Sequence, residues 1–272
     1  MSKKEVVLVT GASSGLGQAI AEYLKEDYTV YGTSRKAQNG EEKNGIRFLQ
    51  LDVCDDQSVQ TAIDYLLEQE QRIDYLINNA GVGIAGSIEE TSQSMVREVF
   101  ETNFHGVVRM CQAVLPAMRK QRNGCIINIS SIGGEISLPY RGYYSASKAA
   151  VESISESMRM EVKPFGIRVA VLQPGDFNTN ISTSRKEAPL VEDSDYYPFY
   201  SKVKKQINEE VSEGLDPKVA AQHIRSIMED SNPTIKIKVG NFMQRNAVRI
   251  KNILPQKLFE RMLMKTYGLG ER

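Results

Sequence analysis

The chain has 272 residues, with 34 basic and 34 acidic side chains, so no charge imbalance marks a nucleic-acid partner and none is expected. A composition of 41% hydrophobic and 25% charged residues suits a globular protein with a sizeable core. Cys54, Cys111 and Cys125 lack CxxC or Cys/His spacing and only His105 and His223 accompany them, which argues against a disulfide framework, a metal site or a Ser-His-Asp triad.

In chain order, short β-branched runs at 6–9, 29–33, 47–51, 75–78, 125–129, 167–173 and 234–239 alternate with segments of helical period. This predicts an α/β fold: a single Rossmann-type, doubly wound parallel sheet with a helical C-terminal extension. Leu16, Ile20, Tyr23 and Leu24 share one helix stripe, and Val151, Ile154, Met158 and Val162 another. The first apolar run is too short for a signal peptide or a membrane span, so a cytoplasmic protein is expected.

Residues 1–240 are read as the catalytic domain. Within it, 180–214 is polar and turn-rich but holds Tyr196, Tyr197, Phe199 and Tyr200, which predicts a substrate lid. Residues 241–272 form a basic amphipathic tail that Pro255 divides into two helices. Leu258, Phe259, Met262 and Leu263 make its apolar stripe, and Arg245, Arg249, Lys251, Lys257, Arg261 and Lys265 its charge. Such a tail either packs on the domain and closes the site or lies peripherally on an anionic membrane.

The first strand runs into Thr10-Gly11-Ala12-Ser13-Ser14-Gly15-Leu16-Gly17 and then a helix. Glycines at this turn let backbone approach a pyrophosphate, which the helix N-terminus stabilises. The second strand ends Thr33-Ser34-Arg35-Lys36, without the acid that would bind a free ribose 2′-hydroxyl. Ser34 and Arg35 suit a 2′-phosphate, so the expected cofactor is NADP(H).

Further on come Asn78-Asn79-Ala80-Gly81 after a strand, Asn103 within Glu101-Thr102-Asn103-Phe104-His105-Gly106, Ser131 at another strand end, and Tyr144-Ser145-Ala146-Ser147-Lys148 opening a helix. Tyr144 and Lys148 are one turn apart on one face. Holding a phenolate at pH 7 costs about 4 kcal/mol, which a nearby ammonium offsets. Tyr144 is thereby the expected general acid/base, with Ser131 donating to the oxygen where charge develops.

In these motifs the sequence resembles the short-chain dehydrogenase/reductase family, of the TGxxxGxG and YxxxK type, closely from Val6 to Gly175. The resemblance implies that Asn103 holds a water linking Lys148 to solvent and that Lys148 also binds the nicotinamide ribose. It places Asp52 and Val53 at the adenine, Asn79 along the cofactor, and Pro174, Gly175, Phe177 and Thr179 around the nicotinamide, and it implies a homodimer or homotetramer. The layout is nearest the steroid, retinol and ketosphinganine reductase branches. The expected reaction interconverts a ketone and a secondary alcohol on a hydrophobic substrate such as a 3-ketosphingoid base, steroid or retinoid-like compound. Two other readings are a 3-oxoacyl carrier-protein reductase and a non-catalytic NADP(H)-binding regulatory protein.

Overall fold

The computed structural model describes residues 4–179, 185–189 and 191–269. Its main sheet contains β1 (Val6–Val9), β2 (Thr29–Ser34), β3 (Glu41–Lys43), β4 (Ile46–Gln50), β5 (Tyr75–Asn78), β7 (Gly124–Ile129), β8 (Ile167–Pro174) and β10 (Lys236–Val239). The strand order is β10-β8-β7-β5-β1-β2-β4-β3, parallel except where β3 meets β4. All seven strands expected from the sequence are present. The antiparallel β3–β4 hairpin turns through Asn44 and Gly45, both at positive φ (53° and 74°). That is the backbone an Asn-Gly hairpin turn favours.

Alternation along β1 explains the two cores. Val6 and Leu8 face one, with α2 (Asp56–Glu70), α4 (Gly106–Gln121) and α6 (Gly142–Val162); Val7 and Val9 face the other, with α1 (Gly15–Leu24) and α8 (Pro217–Glu229). A strand covered on both sides is apolar at every position, as these four residues are. On α6 the expected stripe holds for Val151, Met158 and Val162, but Ile154 points outward while Glu152 and Ser155 are buried. The face of α6 against the sheet is partly polar, because it carries the buried groups of the candidate site.

Within the stretch 180–214, read as a lid, the described residues form more regular structure than their composition suggests. Residues 180–184 and 190 lie outside the described residues. Lys186–Glu187 form β9, paired in parallel with β6 (Ile84–Ala85). Tyr197–Ser212 form α7, which buries Tyr200, Val203, Ile207 and Val211 at helical spacing. Tyr200 stacks on Tyr140 at 5.3 Å and donates to the Ala85 carbonyl (2.9 Å).

The tail divides at Pro255 into α9 (Phe242–Ile253) and α10 (Gln256–Thr266). It packs on the domain: Val248 and Phe259 join Ile132 and Ile136, and Tyr267 joins Val203 and Ile207 of α7. The stripe read from the sequence splits, since Phe259 is buried whereas Leu258 and Met262 stay exposed. Lys236 and Lys238 of the edge strand do not face open water. They meet Glu152 and Glu156 of α6 and Glu135 of α5 (Ile132–Glu135).

Asp74 ties together the entry ends of the two central strands. Its buried carboxylate accepts the Val6 amide (2.8 Å) and a two-pronged pair of bonds from Arg72 (2.8 and 2.6 Å). Asp74→Ala strands a buried N–H as well as a guanidinium and is expected to lower the unfolding free energy by about 2 kcal/mol. Urea titration checks this; a change below about 0.5 kcal/mol would show that the contact adds little.

Candidate active site

The strand order reverses between β1 and β5, and the loops leaving their carboxyl ends flank the crevice where open parallel sheets bind ligands. They are clasped to each other. Thr10 Oγ1 accepts the amides of Asn79 and Ala80 (both 2.9 Å), and Asn79 Nδ2 donates back to the Thr10 carbonyl (2.9 Å). Gly11 sits at φ 65° with space for a Cβ only 3.1 Å from Ala80 Cα, and a Cβ on Gly17 would overlap the Gly11 carbonyl oxygen and Asn79 Nδ2. The loop is compact because these positions carry no side chain.

The donor groups left at this crevice fit a dinucleotide. Ser14 caps α1 in position only: its backbone is extended, its hydroxyl bonds no helix amide, and the first turn holds no acid. The first-turn N–H groups are thus left for an anion. Ser13 and Ser14 are exposed, Leu16 is half-buried, and Thr179 Cβ lies 3.7 Å from where a Gly15 Cβ would be. The 174–179 loop therefore closes over the glycine loop. Beside it, Ala12, Ser13, Ser34, Lys36 and Lys43 line a cavity of about 170 Å³, with Arg35 exposed at its strand end. Glu22 and Glu41 of the same cavity are engaged by Gln18 Nε2 (2.8 Å) and the Gln38 amide (3.2 Å).

Other expected cofactor residues prove structural in part. Asp52 Oδ1 accepts the Cys54 amide (3.0 Å), and the Val53 carbonyl accepts from Arg109 (2.6 Å). Phe177 is buried in the core with its ring among apolar neighbours. Gly81 lies against both Asn103 and Lys148: a Cβ there would be 3.2 Å from Asn103 Oδ1 and 3.5 Å from Lys148 Nζ.

Asn103 occupies a π-helical turn, Glu101–His105, between α3 (Gln93–Phe100) and α4. An extra residue in a helix re-aims its neighbours, and such turns recur at functional sites. The buried Asn103 side chain is committed to the Val82 amide (2.8 Å), the Val82 carbonyl (2.9 Å) and Ser147 Oγ (3.1 Å).

Ser131 follows β7 and caps α5, accepting the Gly133 amide (3.1 Å) and donating to the Pro174 carbonyl at the end of β8 (3.3 Å). Lys148 Nζ lies 5.9 Å from the centre of the Tyr144 ring and donates to the Ile129 carbonyl (2.9 Å). Ser131, Tyr144 and Lys148 thus meet where β7 and β8 end. Burial holds the Tyr144 phenol above its ordinary value, a hydrogen bond from Ser131 and the Arg141 guanidinium draw it down, and Asp176 pushes it up. Burial pulls Lys148 down to about 8, opposed by Glu152. Such a phenol is a proton donor at neutral pH, and can serve a carbonyl oxygen gaining charge.

Three neighbours had no sequence signal of their own. Glu152, one turn after Lys148, accepts from Ser130 (2.7 Å) and pairs with Lys236 (3.1 Å). Arg141 precedes α6, donating to Tyr267 Oη (2.6 Å) and Glu210 (3.5 Å). Asp176 follows Gly175 and accepts from Gln244 Nε2 (2.6 Å).

Residues 5–190 match the profile described as short chain dehydrogenase. The chain belongs to the short-chain dehydrogenase family. Among its relatives is a protein of Bacteroides thetaiotaomicron named 3-ketodihydrosphingosine reductase, 42% identical over 267 residues, covering 97% of this chain and 98% of that one. A short-chain dehydrogenase structure from Streptomyces avermitilis superposes with a TM-score of 0.79 at 32% identity, covering 97% and 98% of the two chains. A short-chain dehydrogenase of Burkholderia cenocepacia in complex with NADP gives 0.75 at 25% identity, covering 96% and 98%. The family is one of oxidoreductases, and the crevice and the Ser131-Tyr144-Lys148 group lie within the matched residues.

The buried Lys148 ammonium trades stability against chemistry. Between about 8 and its unfolded value of 10.5, unfolding takes up a proton, so stability from this group falls as pH drops through that interval. Below it the full cost stands, about 3 kcal/mol. Lys148→Met removes this cost, offset by about 1 kcal/mol for the lost bond to Ile129. The variant is expected to melt higher than the parent at pH 7, to lose that advantage toward pH 10, and to lose turnover at least about 100-fold. A variant less stable at pH 7 would contradict the assignment of a strained charge.

Proposed function

We propose that the protein is an NADP(H)-dependent reductase of a long-chain hydrophobic ketone, with a 3-ketosphingoid base as the favoured substrate. The observation that carries this reading is the meeting of Ser131, Tyr144 and Lys148 at the ends of β7 and β8, beside a crevice fitted to a dinucleotide. Similarity along 97% of the chain to a protein named for that substrate supports the choice. A bound nicotinamide supplies the hydride. Tyr144 gives the proton to the carbonyl oxygen, Ser131 orients that oxygen, and Lys148 stabilises the phenolate left behind. The ribose and pyrophosphate would be held by Lys148, Asn79, Ala80, Gly81 and the amides around Gly11 to Gly17.

Ser34, Arg35 and Lys36 at the end of β2, where the strand itself ends without an acid, support NADP(H) over NAD(H). Exposed Ile154 and Met160 on α6 support pairing of two copies through that helix. On the tail, Phe242, Met243 and Ile253 are 75%, 79% and 81% exposed, next to exposed Arg245, Arg249, Lys257 and Arg261. Apolar side chains ringed by cations suit an anionic lipid surface, from which a long-chain substrate would be drawn. No helix among the described residues is long and apolar enough to cross a membrane.

NADPH oxidation should be followed with 3-ketosphinganine, steroids, retinal, short ketones and a 3-oxoacyl thioester. The expected preference is 3-ketosphinganine with NADPH, at least about tenfold over NADH, since a charge-assisted bond to phosphate contributes roughly 1.5–3 kcal/mol. Arg35→Asp should reverse the cofactor preference and Tyr144→Phe should abolish turnover. Turnover confined to short polar ketones or to the thioester would remove the sphingoid reading, and a native preference for NADH would remove the NADP(H) assignment.

Phosphatidylglycerol vesicles should co-sediment the protein about tenfold more strongly than phosphatidylcholine vesicles, each basic side chain near the surface contributing about 1 kcal/mol. Binding that ignores anionic lipid, or that survives replacement of Phe242, Met243 and Ile253 by serine, would discard the membrane contact.

A further inference from the structure

Arg141 and Asp176 both act on the Tyr144 phenol, and the proton transfer does not use the group of charged side chains to which they belong. Asp176, Glu210 and Glu213, with Gly214, Leu215, Asn241 and Gln244, line a cavity of about 170 Å³. Asp176 stands two residues beyond Pro174, the residue whose carbonyl receives Ser131 Oγ, so the cavity adjoins the proton-transfer group. Gln244 occupies Asp176 Oδ2 (2.6 Å), and Oδ1 accepts nothing among the described residues.

Arg141 enters the same group from the start of α6. It reaches Glu210 and Tyr267 through Nη2, and its buried Nε–H has no partner among the described residues. A buried donor without an acceptor is costly and uncommon, and it points to an oxygen supplied by a ligand. At the cavity Asp176 Oδ1 is an acceptor for a cation, and Arg141, which lies behind the lining residue Glu210, holds a donor for an adjacent oxygen. An unadorned hydrocarbon ketone would satisfy neither.

We propose that Asp176 receives a primary ammonium on the carbon next to the substrate's carbonyl, while Arg141 Nε–H meets the oxygen of a neighbouring hydroxyl, so that an amino-alcohol head is read beside Tyr144. This inference rests on the sphingoid-base reading and names the group that selects it. The ketone oxygen and the ammonium of such a head sit on adjacent carbons, so a phenol and a carboxylate at one end of the crevice engage both. Burial raises the Asp176 and Glu210 carboxyls, opposed by Arg141. An incoming ammonium adds to the positive charge that Arg141 and Arg185 already direct at Asp176.

The test compares sphinganine with its analogue lacking the 2-amino group, and dodecylammonium with dodecanol, binding to the NADPH-loaded protein by calorimetry. It then compares 3-ketosphinganine with the corresponding 1-hydroxy-3-ketone in turnover. The native protein should favour each amine at least tenfold in binding, and 3-ketosphinganine about 100-fold in kcat/KM, because sites built around a polar group reject analogues lacking it. Asp176→Asn should remove both preferences, bringing the kcat/KM ratio of the two ketones close to one, while any effect through the Tyr144 phenol falls on both ketones alike. Glu213→Gln, at the cavity rim, should weaken amine binding only two- to threefold. Equal affinity of the native protein for amine and neutral partner overturns the inference whatever the substrate, and so does an equal loss on both ketones in Asp176→Asn. Amine-selective binding without turnover of any long-chain 3-ketone upholds the ammonium site and overturns the proposed substrate instead.

Discussion

Thr10 and Asn79 exchange hydrogen bonds across the point where the strand order reverses, and the rest of the cofactor crevice depends on that clasp. Two parallel strands separate at their carboxyl ends, because their chains leave toward opposite faces of the sheet. One threonine hydroxyl accepting two amides, answered by an asparagine amide, fixes how far they part. The glycines at 11 and 17 are then demanded by proximity, and the α1 N-terminus is held at one wall with its amides unclaimed. At the other end of these strands Asp74 performs the converse task, joining β1 and β5 where they enter the sheet.

A second constraint is the charge buried behind the phenol. Lys148 lies between the Ile129 carbonyl and the influence of Glu152, which is itself buried and bridged to Lys236 on the sheet edge. Burying this many ionic groups costs stability compared with apolar packing of equal volume. The face of α6 that a purely structural helix would make from leucine and valine is here made from Lys148, Glu152 and Ser155. The nearby buried ladder Asn78–Asn128–Ser155, with contacts of 2.8 Å at both links, continues this polar seam beneath the site.

Much of the fold was legible because its signals are periodic. Most of the parallel strands are β-branched or apolar runs, and both tail helices follow from one proline. The signals missed were local or weak. The β3–β4 hairpin was announced by Asn44-Gly45 but its first strand is entirely charged, and β6 and β9 are too short for any period. Helix α7 does carry an apolar stripe at Tyr200, Val203, Ile207 and Val211, disguised by Pro198 in its first turn and by the acidic turn before it. The Tyr144, Lys148 and Ser131 group was readable because its chemistry fixes a spacing along one helix and one strand end. Arg141, Asp176 and Glu210 lie on separate segments, so only the folded chain brings them together.

The bond between Arg141 and Tyr267 also constrains when this site can exist. Residues 126 positions apart are joined at 2.6 Å, one on the turn that launches α6, the other sealed against α7. During synthesis, β1, β2, β5 and the glycine loop between them are made long before Tyr267. Until then the Arg141 guanidinium has no phenol to hold it, and the first turn of α6 lacks its outer wall. The order of translation thus separates an early glycine crevice from the late contact that completes the surroundings of Arg141.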